Sequence, residues 1–312
     1  MNQIICEMRS RNIKFECIDE CHAIEIMKDE YPGAKLLSYA SLFDQYQKTD
    51  KKGLFIELDF AYLYDLAEID SLLQKIVMCM CIDIEQKVKT MLIADTISVS
   101  YPENLVKEFI ASNQSFFSSV YHPDNMDTQS KQQLKDKPLE EASISTFLDI
   151  IHFGTLQRFA RFFYSRFAEE LYAKGYAPFE PYLDEVRKMR NAAAHNSGLI
   201  NQLVYFSSGE IVFIKNPYVL SFLGKNGISH RTLSTNTSKS VVHDFCCLLH
   251  MYVCFETEEK VKRTLQHLLE LFKERCTAHK AYYKNNSMLM SVYNFLLDVI
   301  DVYKKRNSLT LE

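Results

Sequence analysis

Tryptophan is absent from the 312 residues, and glycine (8) and proline (7) are scarce. So few turn-forming residues argue against a β-sandwich or barrel, while the plentiful Leu, Lys, Glu, Ile and Phe suit a mainly helical chain. No CxxC occurs among the nine cysteines, an odd number, and no secretory leader is legible, so the expected setting is a reducing cytoplasm. The longest strongly apolar run, residues 76–82, is far shorter than the ~20 residues a membrane helix needs. There is no GxxxxGK[ST], GxGxxG or HExxH, which leaves nucleotide-driven and zinc-protease chemistry without support, and no internal period of a solenoid. A formal charge of -4 is the wrong sign for a general nucleic-acid binder; any such site has to be a local patch.

What is present is helical periodicity. Asp19 is placed to cap a first helix, and Pro32-Gly33 separates it from a second that carries Leu36, Tyr39, Phe43 and Tyr46. From residue 59 to 96 apolar side chains recur almost without interruption, from Tyr62 and Leu63 to Met91 and Leu92. That run predicts one long helix, or two collinear ones, at the centre of a bundle. Glu85 and Lys89, four apart, suit an ion pair. The polar tract 122–141 reads as a loop, after which Ser143 or Ser145 caps a helical region rich in phenylalanine. Gly154 inside that region suggests a close contact, and His152 reads as a satisfied buried histidine. Residues 203–206 and 211–214 suggest a small β-hairpin. A loop at 224–238, helices over 239–255 and 258–274, and a C-terminal amphipathic helix over 287–305 complete the chain.

The chemistry concentrates in residues 184–201, DEVRKMRNAAAHNSGLIN. Arg190 is a permanent, planar, bidentate phosphate binder, and His195 can take and give a proton near neutral pH. Together they suit cleavage of RNA without a metal. On a helix, Asn191 and His195 share a face while Arg190 lies well around the cylinder. Convergence therefore needs an unwound last turn or a second copy meeting the first across a two-fold axis; Ala192, Ala193 and Ala194 are small enough to admit that copy. Arg158, Arg161, Arg187 and Lys188 are candidates for a basic RNA-binding lining. The competing reading gives Arg190 a carboxylate partner, Asp184 or Glu185, and makes His195 a helix C-cap. The stripe His243, Cys246, Cys247, His250 and Cys254 extends over about 16 Å of helix rise; it is assigned to the core, with no metal or cofactor expected.

RNAAAH followed by NSGLIN resembles the signature of the Abi-like, abortive-infection proteins of the HEPN superfamily. The stretches FLDIIHFGTLQRF (147–159), DIEQKVK (83–89) and the aromatic-rich residues 39–64 are similar to the family's other helices, so the resemblance covers about residues 20–205. Gly198 and Lys89 stand where many members carry a basic residue and an arginine. The resemblance implies a HEPN-type helical bundle, all-α, in three parts: a helical pair (1–54), a core with the motif (55–256) and covering helices (257–312). It also implies a homodimeric endoribonuclease in phage defence, with Arg190, Asn191 and His195 at its site. The protein would be silenced by a small RNA or a protein antitoxin and have no membrane partner. A non-catalytic RNA-binding module and a structural interaction bundle are the alternatives.

Overall fold

The structure, a computed structural model, describes residues 2–48, 50–99, 104–122, 126–135, 137–172, 179–196, 198–205 and 214–309. Its helices are α1 Asn2–Ser10, α2 Glu20–Asp29, α3 Gly33–Ser38, α4 Phe60–Ser98, α5 Leu105–Ala111, α6 Gln114–Val120, α7 Thr128–Leu134, α8 Ile144–Ile150, α9 Phe153–Tyr172 and α10 Leu183–Ala194. After these come α11 Gln202–Tyr205, α12 Pro217–Lys225, α13 His230–Asn236, α14 Ser240–Phe255, α15 Glu258–Glu270, α16 Cys276–Ala278 and α17 Ser287–Leu309. Among the described residues there is no strand, only two isolated bridges, Lys14 to Asp59 and Gln45 to Phe55. The protein is all-α, and among those residues no helix is long and apolar enough to cross a membrane.

Two compact units form. Unit 1 comprises Met1–Cys81 and Lys188–Glu312; unit 2 is Ile82–Arg187.

Unit 1 is organised on the first half of α4. Leu63, Leu66, Ala67, Leu73 and Val77 are buried along it, as the uninterrupted apolar pattern requires. Three aspartates interrupt that pattern and are buried too. Asp59 accepts from the backbone of Glu16 and Ala61 (2.8 and 2.9 Å). Asp65 accepts from Arg275 (2.6 Å) and Tyr283 (2.5 Å) and sits 2.8 Å from His279 Nδ1. Asp70 accepts from Tyr39 (2.6 Å) and from the backbone following the motif. A buried carboxylate is stable only with such donors, so each aspartate ties a distant stretch of chain to one helix. Helix α14 is buried from Val241 to Val253, which puts His243, Cys246, Cys247 and His250 of its stripe in this core, whereas Cys254, also assigned to the core, is exposed. His243 Nε2 accepts from Asn216 N at 2.8 Å, and His250 Nδ1 meets Tyr303 Oη at 2.8 Å.

Unit 2 is held by aromatic packing. Phe109 and Phe147 meet Phe159 edge-on, each with centroids 5.1 Å apart, the geometry aromatic quadrupoles favour. Glu85 and Lys89 form the expected pair at 3.2 Å.

The caps at Asp19 and Ser143 form as expected, accepting from His22 N and Thr146 N. Several local expectations are corrected. Residues 203–205 of the supposed hairpin lie in α11, and residues 206–213 fall outside the described residues. The polar tract contains α7, started by the Asp127 side chain accepting from Ser130 N. The supposed loop at 224–238 contains α13, which Ser229 caps. The phenylalanine-rich region is two helices, α8 and α9, and Phe43 and Tyr46 lie beyond α3. A Cβ on Gly154 would meet only Arg187 Cδ, at 3.8 Å, so no close approach requires that glycine. His152 is exposed and stacks on Tyr121, with centroids 5.4 Å apart.

Candidate functional site

The motif lies on α10 and the turn after it. The helix is entered through a turn of 3₁₀ helix, Glu180–Tyr182, with proline in its first positions, where a missing N–H leaves no bond unmade. Tyr182, Val186 and Met189 are buried. The opposite side, at the spacing 188, 191, 195, presents Lys188, Asn191 and His195 to solvent. His195 N donates to Asn191 O at 3.0 Å, which continues the helical register one residue past Ala194. Arg190 is half-buried, and its Nη1 lies 3.5 Å from Asn191 Oδ1. Five residues at about 100° each leave Arg190 and His195 about 140° apart around the axis. Within one chain the helix does not aim both groups at one phosphate.

The turn that ends the helix is firmly held. Asn196 and Gly198 adopt φ of 51° and 70°, the left-handed conformation that stops helices. Any side chain at 198 would collide with its neighbour, since a Cβ there would lie 2.8 Å from Asn201 Oδ1. Leu199 N donates to Asp70 Oδ1 (2.9 Å) and Oδ2 (3.1 Å), and Ile200 N to Oδ1 (3.1 Å). Gln74 (3.0 Å) and Tyr39 (2.6 Å) donate to the same carboxylate. Burial pushes Asp70 above the usual carboxylate range, against these hydrogen bonds. From α3, Lys35 Nζ donates to Asn196 Oδ1 at 2.5 Å, and its charge lies 5.3 Å from the centre of the Tyr31 ring. Burial lowers the Lys35 pKa, opposed by Asp70.

The basic residues divide by their commitments. In unit 2, Arg161 Nη2 contacts Asp184 Oδ2 at 2.5 Å, Arg187 lies 3.7 Å from Asp184 Oδ1, and Arg158 is stacked over Phe116 at 4.5 Å. Burial would raise the Asp184 pKa, but Arg161 and Gln157 outweigh it and hold the carboxylate below its usual range. In unit 1, Arg190 has no carboxylate partner among the described residues, and neither His195 nor Lys188 has a side-chain partner there. Asp184 therefore pairs with Arg161 and Arg187 rather than with Arg190. Arg190, Asn191, His195, Asn196 and Lys35 all lie in unit 1, where Arg190 meets Asn191 and Lys35 meets Asn196; Arg158, Arg161 and Arg187 belong to the other unit.

Sequence reasoning missed Asp70 and Lys35, and read Asn196 only as one of the residues, with Gly198, that stop the helix. A signal existed for Asp70, a carboxylate between Ile69 and Leu73 in the long apolar run of α4. None existed for Lys35, which is 161 residues from its partner.

Such a site presents one uncommitted guanidinium and one uncommitted imidazole on different sides of the helix, with an ammonium held on Asn196, the residue after His195. That set suits a phosphodiester. Among known proteins, the model of a family described as Abi-like protein matches residues 34–201. No curated protein and no solved structure matches the chain.

Proposed function

Because the chain belongs to the Abi-like protein family, we propose that it is an abortive-infection, phage-defence protein that works as a metal-independent endoribonuclease. The observation that carries this reading is the freedom of Arg190 and His195. Neighbouring arginines are held in ion pairs, whereas these two groups keep their chemistry available to a ligand.

In the proposed reaction, His195 takes the proton of a ribose 2′-hydroxyl and the 2′-oxygen attacks the adjacent phosphorus. The bond to the 5′-oxygen breaks, and that oxygen receives a proton from an imidazolium, leaving a 2′,3′-cyclic phosphate and a 5′-hydroxyl. Arg190 stabilises the charge that develops on the phosphate, and Asn191, 3.5 Å from its guanidinium, orients it. The 140° separation is resolved by a homodimer in which both copies contribute to a shared cleft, one His195 acting as base and the other as acid. The exposed Asn191, Ala194 and His195 and the half-buried Ala192 and Ala193 support this, because they leave the motif open to a second helix. Lys35 adds a cation on one flank, and exposed Lys188 another. Silence before infection is attributed to a small RNA or protein antitoxin covering this face.

The test is induced expression of intact, Arg190→Ala and His195→Ala forms, with growth recorded and the 5′ ends of cellular RNA sequenced. Purified protein is then given RNA in chelator. The intact form is expected to arrest growth and produce cyclic-phosphate ends with chelator present, while both variants are silent and folded. A His195→Ala protein as toxic as the intact one refutes the mechanism. RNA bound but never shortened supports the non-catalytic RNA-binding reading instead.

A further inference from the structure

Unit 1 contains an apolar cavity of about 210 Å³ that the motif does not use. Leu66 and Leu73 of α4, Ile200 and Leu203 behind the motif, and Leu289 and Met290 of α17 form much of its wall. Another part of the wall comes from a π-helical turn, Leu271–Arg275, which buries both Leu271 and Phe272. Such turns cost hydrogen-bond geometry and are found most often at functional sites.

The polar groups of the lining are committed or inert, apart from the Tyr293 hydroxyl and the Lys280 ammonium, which have no hydrogen-bond partner among the described residues. Tyr283 turns its hydroxyl to Asp65, which also takes Arg275 and lies beside His279. Burial pushes the Cys276 thiol up to about 12, so it acts as an apolar wall. Lys280 is the sole charged residue of the lining; it is exposed and has no hydrogen bond or ion pair among the described residues. An apolar cavity of roughly 150 Å³ stays dry and takes up benzene, so this larger one admits an aliphatic chain, with a cation at its edge for the head.

We propose that the cavity binds an amphiphile with a single acyl chain and a carboxylate head, the chain among Leu66, Leu203 and Met290 and the head at Lys280. The binding site is independent of the ribonuclease reading. Ile200, whose own amide Asp70 holds, and Leu203 three residues on both line the cavity, so an occupant would rest against the segment that ends the motif helix.

The test uses the full chain, titrated with decanoate and with decanol by calorimetry and thermal unfolding. One saturable decanoate site that raises the unfolding temperature is expected, and an exposed ion pair predicts a roughly two- to fivefold preference over decanol. Lys280→Ala should abolish that preference without changing decanol affinity. Met290→Trp, with an intact circular dichroism spectrum, should abolish binding of both. Lys280→Ala does not depend on repacking the core, so it remains decisive should Met290→Trp fail to fold. Equal affinity of intact protein for the two ligands, non-saturating uptake, or sedimentation showing the cavity closed by a second copy with no decanoate bound would each overturn the proposal.

Discussion

Replacing Asp70 by alanine should loosen the motif from behind without touching any group that faces a ligand. The carboxylate is fully buried and receives four donors: Tyr39 Oη, Gln74 Nε2, Leu199 N and Ile200 N, at 2.6 to 3.1 Å. Each donor left unsatisfied in the interior costs about 1–3 kcal/mol. Against that stands the burial penalty of the charge itself, visible in its raised pKa and recovered on removal. The balance comes to about 3–5 kcal/mol, the usual cost of deleting one partner of a buried charge network, and a large part of a domain's ~5–15 kcal/mol. Asp70→Asn should cost only about 1–2 kcal/mol, because its oxygen can still accept from Leu199 and Ile200 while the Tyr39 hydroxyl rotates to accept from its amide. Urea unfolding followed by circular dichroism measures both. Below the transition, and under the proposed ribonuclease reading, the alanine variant should show lower kcat with little change in KM, since the turn after His195 loses its anchor before any phosphate contact is lost. An unaltered urea midpoint for Asp70→Ala, or equal losses for Ala and Asn, would show that this carboxylate does not hold the turn.

Three further outcomes follow from the same structure. Lys35→Gln, made in the His195→Ala background so that RNA stays intact, should reduce the slope of log affinity against log salt by about 0.7, the value for one phosphate contact on a single strand; an unchanged slope would leave Lys35 as only a tether for Asn196. Burial, helped by Arg306, lowers the His250 pKa to about 4, against about 6.5 in an unfolded chain. Between these values the unfolded chain binds a proton that the folded one refuses, so stability rises with pH: it is fully present above about pH 6.5 and about 3 kcal/mol smaller at pH 4. His250→Gln should flatten that part of the stability–pH curve, and an identical curve would refute the assignment. Gly198→Ala should cost about 1–2 kcal/mol from the left-handed backbone alone, with the 2.8 Å approach to Asn201 adding to it, read as a lowered thermal midpoint.

The parts of the fold legible in the sequence are those set by local chemistry. The unbroken apolar run gives α4, Asp19 and Ser143 announce two helix starts, and Asn196 with Gly198 marks where α10 stops. Helices α7 and α13 were hidden because HRTLSTN and TQSKQQL carry almost no apolar periodicity; their caps and the packing of Leu233 and Leu134 make them helical. At the candidate site, the separation of Arg190 from His195 around the helix was legible. Their supports were not. Counting apolar positions along α4 discards Asp59, Asp65 and Asp70, whose value depends on donors from residues 16, 283 and 199. The ion pairs of Arg161 and Arg187 with Asp184 were hidden for the converse reason, since composition does not disclose which carboxylate a basic side chain will meet.

The three aspartates of α4 also order events during synthesis. When α4 leaves the ribosome, the donors for Asp59 and two of the four for Asp70, Tyr39 and Gln74, have been made; Leu199 and Ile200 follow more than a hundred residues later and the donors for Asp65 later still. Until then two carboxylates keep that helix hydrated and resist its collapse onto the wrong neighbours. The segment carrying His195 is fixed only when Leu199 and Ile200 reach Asp70, so a chain still being translated holds the pieces of its reactive face without the face itself.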